Sequence, residues 1–188
     1  MDSTTIATDR LDLPPLTAAA LQAWIDGDGD RLEGLTGAVF PLPVAAPPEM
    51  ADALPFLRDR VAEAAADAPW WARLIVRRET REAVGSAGFG GRPDVAGTTV
   101  VGYSVYPRCQ GHGYATEAVR ALVAWALAQP GVARVRATIP PWKASSLRVA
   151  EKAGLRRAGT AVDEEAGEVQ VWEIEAGIRP VGEQRPRA

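Results

Sequence analysis

Apolar positions alternate with polar ones in some stretches of the chain and recur every three or four residues in others. Near the start, "TDRLDLPPLT" places Leu11 and Leu13 between charged neighbours, which predicts a short strand stopped by Pro14-Pro15. Thr17 is a candidate N-cap for a helix running through Trp24 and Ile25, ending at the "DGDGD" run. "FPLPVAAPPEM" is too rich in proline for regular helix or central strand. In "ADALPFLRDRVAEAAADA", Leu54, Leu57, Val61 and Ala65 keep the helical spacing, with Pro55 near the start.

From Trp70 onward the period shortens. "WARLIVRR" and "AVGSAGFGG" read as two strands joined by the turn "RETRE", and "GTTVVGYSVYP" as a third closed by Pro107. The apolar stripe of Ala115, Ala118, Val119, Leu122, Val123 and Ala126 predicts a strong helix, ended by Pro130-Gly131. "ARVRATI" is a further strand. "SSLRVAEKAGL" is a short helix with Ser145 as candidate N-cap and Gly154 at its end, and "EVQVWEIE" is a last strand. The second half thus reads strand, strand, strand, helix, strand, helix, strand, a mixed α/β layout. One domain over 1–176 is expected, with 177–188 as a loose, Pro- and Arg-containing tail.

Composition narrows the function. The chain has 188 residues, 47% of them hydrophobic, and a formal charge of −3, which argues against sequence-independent nucleic-acid binding. Cys109 is the only cysteine and His112 the only histidine, so neither an intrachain disulfide nor a thiolate–imidazole metal site is expected. No signal peptide or apolar span of about 20 residues stands out. A cytoplasmic protein without membrane contact is the expectation.

The chemistry concentrates in "QGHGYATEA", Gln110 to Ala118. A strand, a Gly-rich turn and a helix N-terminus make an anion site: first-turn amides lack partners and the helix dipole is positive there. Gly111 and Gly113 let an anion approach the amides of His112 to Thr116. A P-loop would need lysine after the second glycine, where Tyr114 stands, and a dinucleotide fingerprint a small residue where Thr116 stands.

"VGYSVYPRCQGHGYATEAVRALVAWA" resembles the acetyl-CoA signature of the GNAT N-acetyltransferases, with Val105, Pro107, Gln110, Gly111, Gly113 and Ala115 on its defining positions. "SSLRVAEKAGL" resembles the second block of the RimJ/RimL-like branch, which contains the ribosomal-protein N-terminal acetyltransferases. The resemblance covers Trp71 to about Ile174 and implies a GNAT fold, a central mixed, mostly antiparallel sheet flanked by helices and splayed near its fourth strand. It also implies acetyl transfer from acetyl-CoA to a primary amine, either a small molecule or a protein N-terminus; homodimers occur among such relatives.

By that resemblance Gln110, Gly111, His112, Gly113, Tyr114 and Ala115, with Thr116, hold the CoA pyrophosphate. Tyr103, Ser104 and Val105 lie along the pantetheine arm, and the Val105 N–H is the oxyanion donor. Ser146 matches the serine that protonates the leaving thiolate, and Lys143 is a candidate phosphate contact. Three positions depart from the pattern: Val100, Lys143 and Ala150 stand where relatives carry Glu, Asn and Tyr. Those departures leave open a CoA-binding module without catalysis. A phosphate site for another nucleotide is the weaker rival. If transfer occurs, an amine of low pKa or a water relay is expected, because an α-amine is far more often neutral at pH 7 than a lysine. Glu79 and Glu82 are expected to be solvated, Cys109 to be a surface thiol, and Trp70 and Trp71 to pack. Trp142 is a candidate wall of the acceptor pocket. Arg148 and Lys152 read as a solvated helix face.

Overall fold

The computed structural model describes residues 4–177. Eight strands form one sheet in the order β1-β2-β3-β4-β5-β6-β8-β7. They are β1 Ile6–Ala7, β2 Leu11–Leu13, β3 Ala72–Arg77, β4 Ala83–Phe89, β5 Thr98–Val105, β6 Arg134–Ile139, β7 Arg156–Asp163 and β8 Gly167–Glu175. Five helices accompany them: α1 Ala18–Asp26, α2 Gly29–Thr36, α3 Leu54–Glu63, α4 Tyr114–Leu127 and α5 Ala144–Lys152. Every strand pair is antiparallel except β5 with β6, the pair that α4 connects. The long tail segment 178–188 lies outside the described residues, as does its expected looseness.

Most boundaries follow from residues visible in the sequence. The Thr17 hydroxyl caps α1 by accepting from the Ala20 amide, and Gly27 closes it in the left-handed conformation. Pro55 sits in the first turn of α3. The stripe of α4 is buried as its spacing requires, with Ala118, Val119, Leu122, Val123 and Ala126 in the core.

Several expectations are corrected. The "DGDGD" run is not only a turn: Asp28 accepts from the Arg31 amide and starts α2, which buries Leu32. The helix expected through Ala65 ends at Glu63 and continues as a 3-10 turn over Ala65–Trp70, where Pro69 removes a helical donor. Ser145 is not a cap; α5 begins at Ala144 with Lys143 before it and no side-chain cap. Two strands, β1 and β7, have no counterpart in the sequence reading. β7 is exposed along its whole length and so carries no buried-face alternation.

The Pro-rich segment forms a strap. Phe40 and Met50 anchor its ends in the core, Phe40 edge-on to Trp24 at 5.4 Å. Between them the Tyr106 hydroxyl donates to the Ala45 carbonyl (2.7 Å) and the Ser104 hydroxyl to the Pro48 carbonyl. The strap is therefore held against the C-terminal half of β5.

Candidate active site

β5 and β6 part company inside the sheet. They pair in register only from Thr98↔Arg134 to Val100↔Arg136, whereas β5 stays on β4 as far as Gly85↔Val105. The Tyr106 amide donates to the Val84 carbonyl (3.0 Å), so even-numbered residues of β5 face β4. By strand alternation the backbone groups of Tyr103 and Val105 face the gap that β6 has left. The Val105 carbonyl is taken there by the Gln110 side-chain amide (3.2 Å).

Two cavities open on this gap. The smaller, about 320 Å³, is lined by β5, the Gly-rich turn and α5. The larger, about 410 Å³, lies between the strap, α3 and the diverging strands. They share four residues: Glu49, Tyr103, Ser104 and Ser146. The Tyr103 hydroxyl donates to the Ser146 carbonyl (2.9 Å), tying the start of α5 to β5. Burial pushes the Tyr103 phenol up to about 12, so it keeps its proton at physiological pH.

The turn leaves a run of backbone amides without partners among the described residues. Gly111 and Gly113 both adopt φ near +80°, a conformation that other residues resist. The Glu117 amide makes the first bond of α4, to the Gly113 carbonyl (3.0 Å), and among the described residues the amides of 111 to 116 donate to nothing. Arg148 and Lys152, one helical turn apart on α5, also line the smaller cavity and bring positive charge to it. Both are exposed, as a solvated helix face requires, and that face borders the cavity.

Glu117 braces this turn from behind. Its carboxylate accepts from the Thr8 hydroxyl (2.6 Å), the Arg10 amide (3.0 Å) and the Arg10 guanidinium (2.7 Å), while Arg10 also donates to the His112 carbonyl (3.1 Å). Burial works to raise its pKa, but these bonds prevail and hold the carboxyl below its ordinary value. A depressed carboxyl stabilises the fold above its ordinary pKa and loses that contribution as pH falls through the folded value. Glu117→Gln is expected to cost about 1–2 kcal/mol at pH 7 and to flatten the stability curve below about pH 4.3. Denaturant titrations of both proteins across pH 3–7 measure this.

Of the residues read from the sequence, Tyr103, Ser104, Val105, Gln110, Gly111, Gly113, Tyr114, Ala115, Thr116 and Ser146 line the smaller cavity. His112 does not: it is exposed, with Nδ1 2.8 Å from the Gln110 carbonyl and its ring stacked on Tyr114. Lys143 lies in the larger cavity, where its ammonium pairs with Glu49 at 2.8 Å. Cys109 is buried rather than at the surface, and burial raises its thiol pKa. Trp71 walls the larger cavity, while Trp142 is exposed and outside both. Glu82 is engaged by Arg77 and Arg108, away from both cavities. Glu49 had no signal beyond being the one acidic residue of the Pro-rich segment.

A model of the acetyltransferase (GNAT) domain matches residues 10–156, most of the chain. The chain belongs to the GNAT acetyltransferase family. The uncharacterized N-acetyltransferase YjdG of Bacillus subtilis is 29% identical over 103 residues, a match spanning 55% of this chain and 61% of that protein. Among solved structures, a putative ribosomal-protein-serine acetyltransferase from Vibrio cholerae superposes with a TM-score of 0.65 at 20% identity, covering 91% of this chain and 97% of that one. The RimL ribosomal L7/L12 alpha-N-protein acetyltransferase, in complex with coenzyme A, superposes with a TM-score of 0.62 at 15% identity, covering 91% and 97%. These two show the GNAT fold. Among the described residues no group of His, Cys, Asp or Glu is placed to hold a metal ion, and no helix is long and apolar enough to cross a membrane.

Proposed function

We propose that this GNAT chain transfers an acetyl group from acetyl-CoA to a primary amine. The observation that carries the reading is the meeting of two cavities at one point on a splayed strand pair, one of them ending on a turn of unpaired amides. That turn fits a pyrophosphate: the amides of Gly111 to Thr116 supply donors, two glycines supply the backbone path, and Arg148 and Lys152 supply charge. The exposed backbone edge of Tyr103 and Val105 fits the amide-bearing pantetheine arm.

In the transfer, the ammonium first gives up one proton, the amine nitrogen bonds to the acetyl carbon, the carbon–sulfur bond breaks, and a second proton leaves nitrogen as CoA departs as the thiol, the amide keeping the third. The chain's residues set the geometry for this exchange. The Val105 N–H, which faces the gap, is assigned the developing oxyanion; such a donor contributes about 3 kcal/mol to lowering a barrier. Ser146 lines both cavities and is assigned the proton for the departing sulfur. Tyr103 is a positioning residue that fixes Ser146 through its carbonyl. Glu49 is the one carboxylate at the junction and the assigned acceptor of the ammonium proton, which passes on to solvent.

Thermal unfolding with CoA, acetyl-CoA, ATP and NAD tests the binding half. Saturation at 100 times Kd adds about 2.7 kcal/mol, a rise in Tm of roughly 5–10 °C at this chain length. A rise with both CoA species and none with ATP or NAD is the expected result, and thiol release on adding an amine panel tests the transfer half. Binding of CoA without thiol release from any amine would instead establish a non-catalytic CoA-binding module.

A further inference from the structure

The larger cavity contains little charge. Its walls hold one acid, Glu49, and one base, Lys143, and the two neutralise each other at 2.8 Å. Three of its hydroxyls already have backbone partners: Ser86 donates to the Arg73 carbonyl, Tyr103 to the Ser146 carbonyl and Ser104 to the Pro48 carbonyl. The remaining surface is mainly apolar, with Met50, Leu57, Trp71, Phe89, Val101 and Ile139 as its bulk. Val100 adds a hydrocarbon side chain on β5, where a carboxylate would have made a second cation site.

We propose that the acceptor is a small monoamine with an apolar body, seated in the larger cavity with its nitrogen at Glu49. The inference rests on the acetyl-transfer reading above and names its substrate class. The incoming ammonium takes the place of Lys143 beside the Glu49 carboxylate, so the net charge of the occupied site is set by one cation exchanged for another. The hydrocarbon body lies against Leu57, Trp71 and Phe89, where removing apolar surface from water drives binding. A polyamine would leave its further ammonium groups against hydrocarbon with no anion to meet them, a heavy desolvation cost. The volume of about 410 Å³ is at the small end of ligand pockets and suits one compact molecule.

The test has two arms. In the first, thiol release from acetyl-CoA is measured with 2-phenylethylamine, spermidine and a short peptide bearing a free N-terminus. The expected order puts 2-phenylethylamine at least tenfold above the other two in kcat/KM. Val100→Glu is expected to shift the ratio at least tenfold toward spermidine. In the second arm, 2-phenylethylamine is titrated calorimetrically into the CoA-saturated protein. Binding is expected in the wild type and at least tenfold weaker binding in Glu49→Gln, a readout independent of turnover. A higher kcat/KM for spermidine or the peptide overturns the inference and leaves the transfer reading standing. Thiol release from no amine, by protein that CoA stabilises, overturns both.

Discussion

Gly113→Val is expected to weaken CoA binding by about 100-fold or more while leaving the chain folded. Gly113 holds φ +81° immediately before α4, and Gly111 holds +80° two residues earlier. A β-branched residue in that conformation costs about 1–3 kcal/mol. It can avoid the cost only by rotating the turn, which re-aims the amides of 113 to 116. Each charge-assisted hydrogen bond so lost contributes about 1.5–3 kcal/mol. Two such bonds lost exceed the roughly 2.7 kcal/mol that corresponds to 100-fold in affinity. Space does not limit the site: a Cβ on Gly113 would meet only the Arg10 guanidinium, at an ordinary 3.5 Å. Gly113→Asn therefore separates the causes, because asparagine tolerates the left-handed region. Calorimetric titration of CoA into wild type, Gly113→Asn and Gly113→Val should rank them in that order. Equal affinity in all three would mean that the turn does not hold the pyrophosphate.

The turn was legible because local chemistry determined it. Glycines at 111 and 113, a strand ending at Pro107 and an apolar stripe from Ala115 are all readable without tertiary context. Thr17, Pro55 and the α4 stripe were legible for the same reason: each acts within its own element. What stayed hidden depends on contacts far apart in the chain. α2 carries two glycines and one buried leucine, so its propensity is low and its existence rests on the Asp28 cap and the burial of Leu32. β7 is exposed throughout and is a strand because β8 pairs with it. Glu49 reaches the junction only because the strap is bonded to Ser104 and Tyr106. The charge of Lys143 points to a phosphate contact, but the partner the structure gives it is Glu49, far away in the sequence, and nothing local announces that pairing.

Gly88→Ala is expected to be the most destabilising single methyl this chain can receive in β4, and its partner position supplies the control. Gly88 and Gly102 lie opposite each other in the β4–β5 ladder. A Cβ on Gly102 meets nothing within 4 Å, whereas one on Gly88 falls 1.8 Å from the Trp71 carbonyl oxygen, 2.8 Å from its carbon and 3.0 Å from the Ala72 Cα. All three atoms are backbone, so no rotamer change relieves the clash; β3 and β4 must separate. The Phe89 amide bond to the Trp71 carbonyl (3.1 Å) is the first to suffer. Next along β3 is Arg73, fully buried, whose guanidinium donates to the carbonyls of Thr4 (2.7 Å), Leu13 (3.0 Å) and Pro69 (3.2 Å) and lies over the Trp125 ring. Desolvation lowers that guanidinium to about 10, which still leaves it charged at physiological pH, and a displaced β3 would loosen the carbonyl bonds that compensate its burial. Overpacking of this kind costs about 3 kcal/mol or more, which lowers Tm by roughly 6–12 °C at this chain length. Gly102→Ala should stay within about 1 kcal/mol of wild type. Because Trp71 and Gly88 both wall the larger cavity, Gly88→Ala should also raise the amine KM. The Gly-rich turn lies beyond β5 from the clash, so the stabilisation by CoA should persist wherever the variant is folded. Differential scanning calorimetry of the two variants decides it: matching Tm values for Gly88→Ala and Gly102→Ala would show that β3 and β4 are not held this closely in solution.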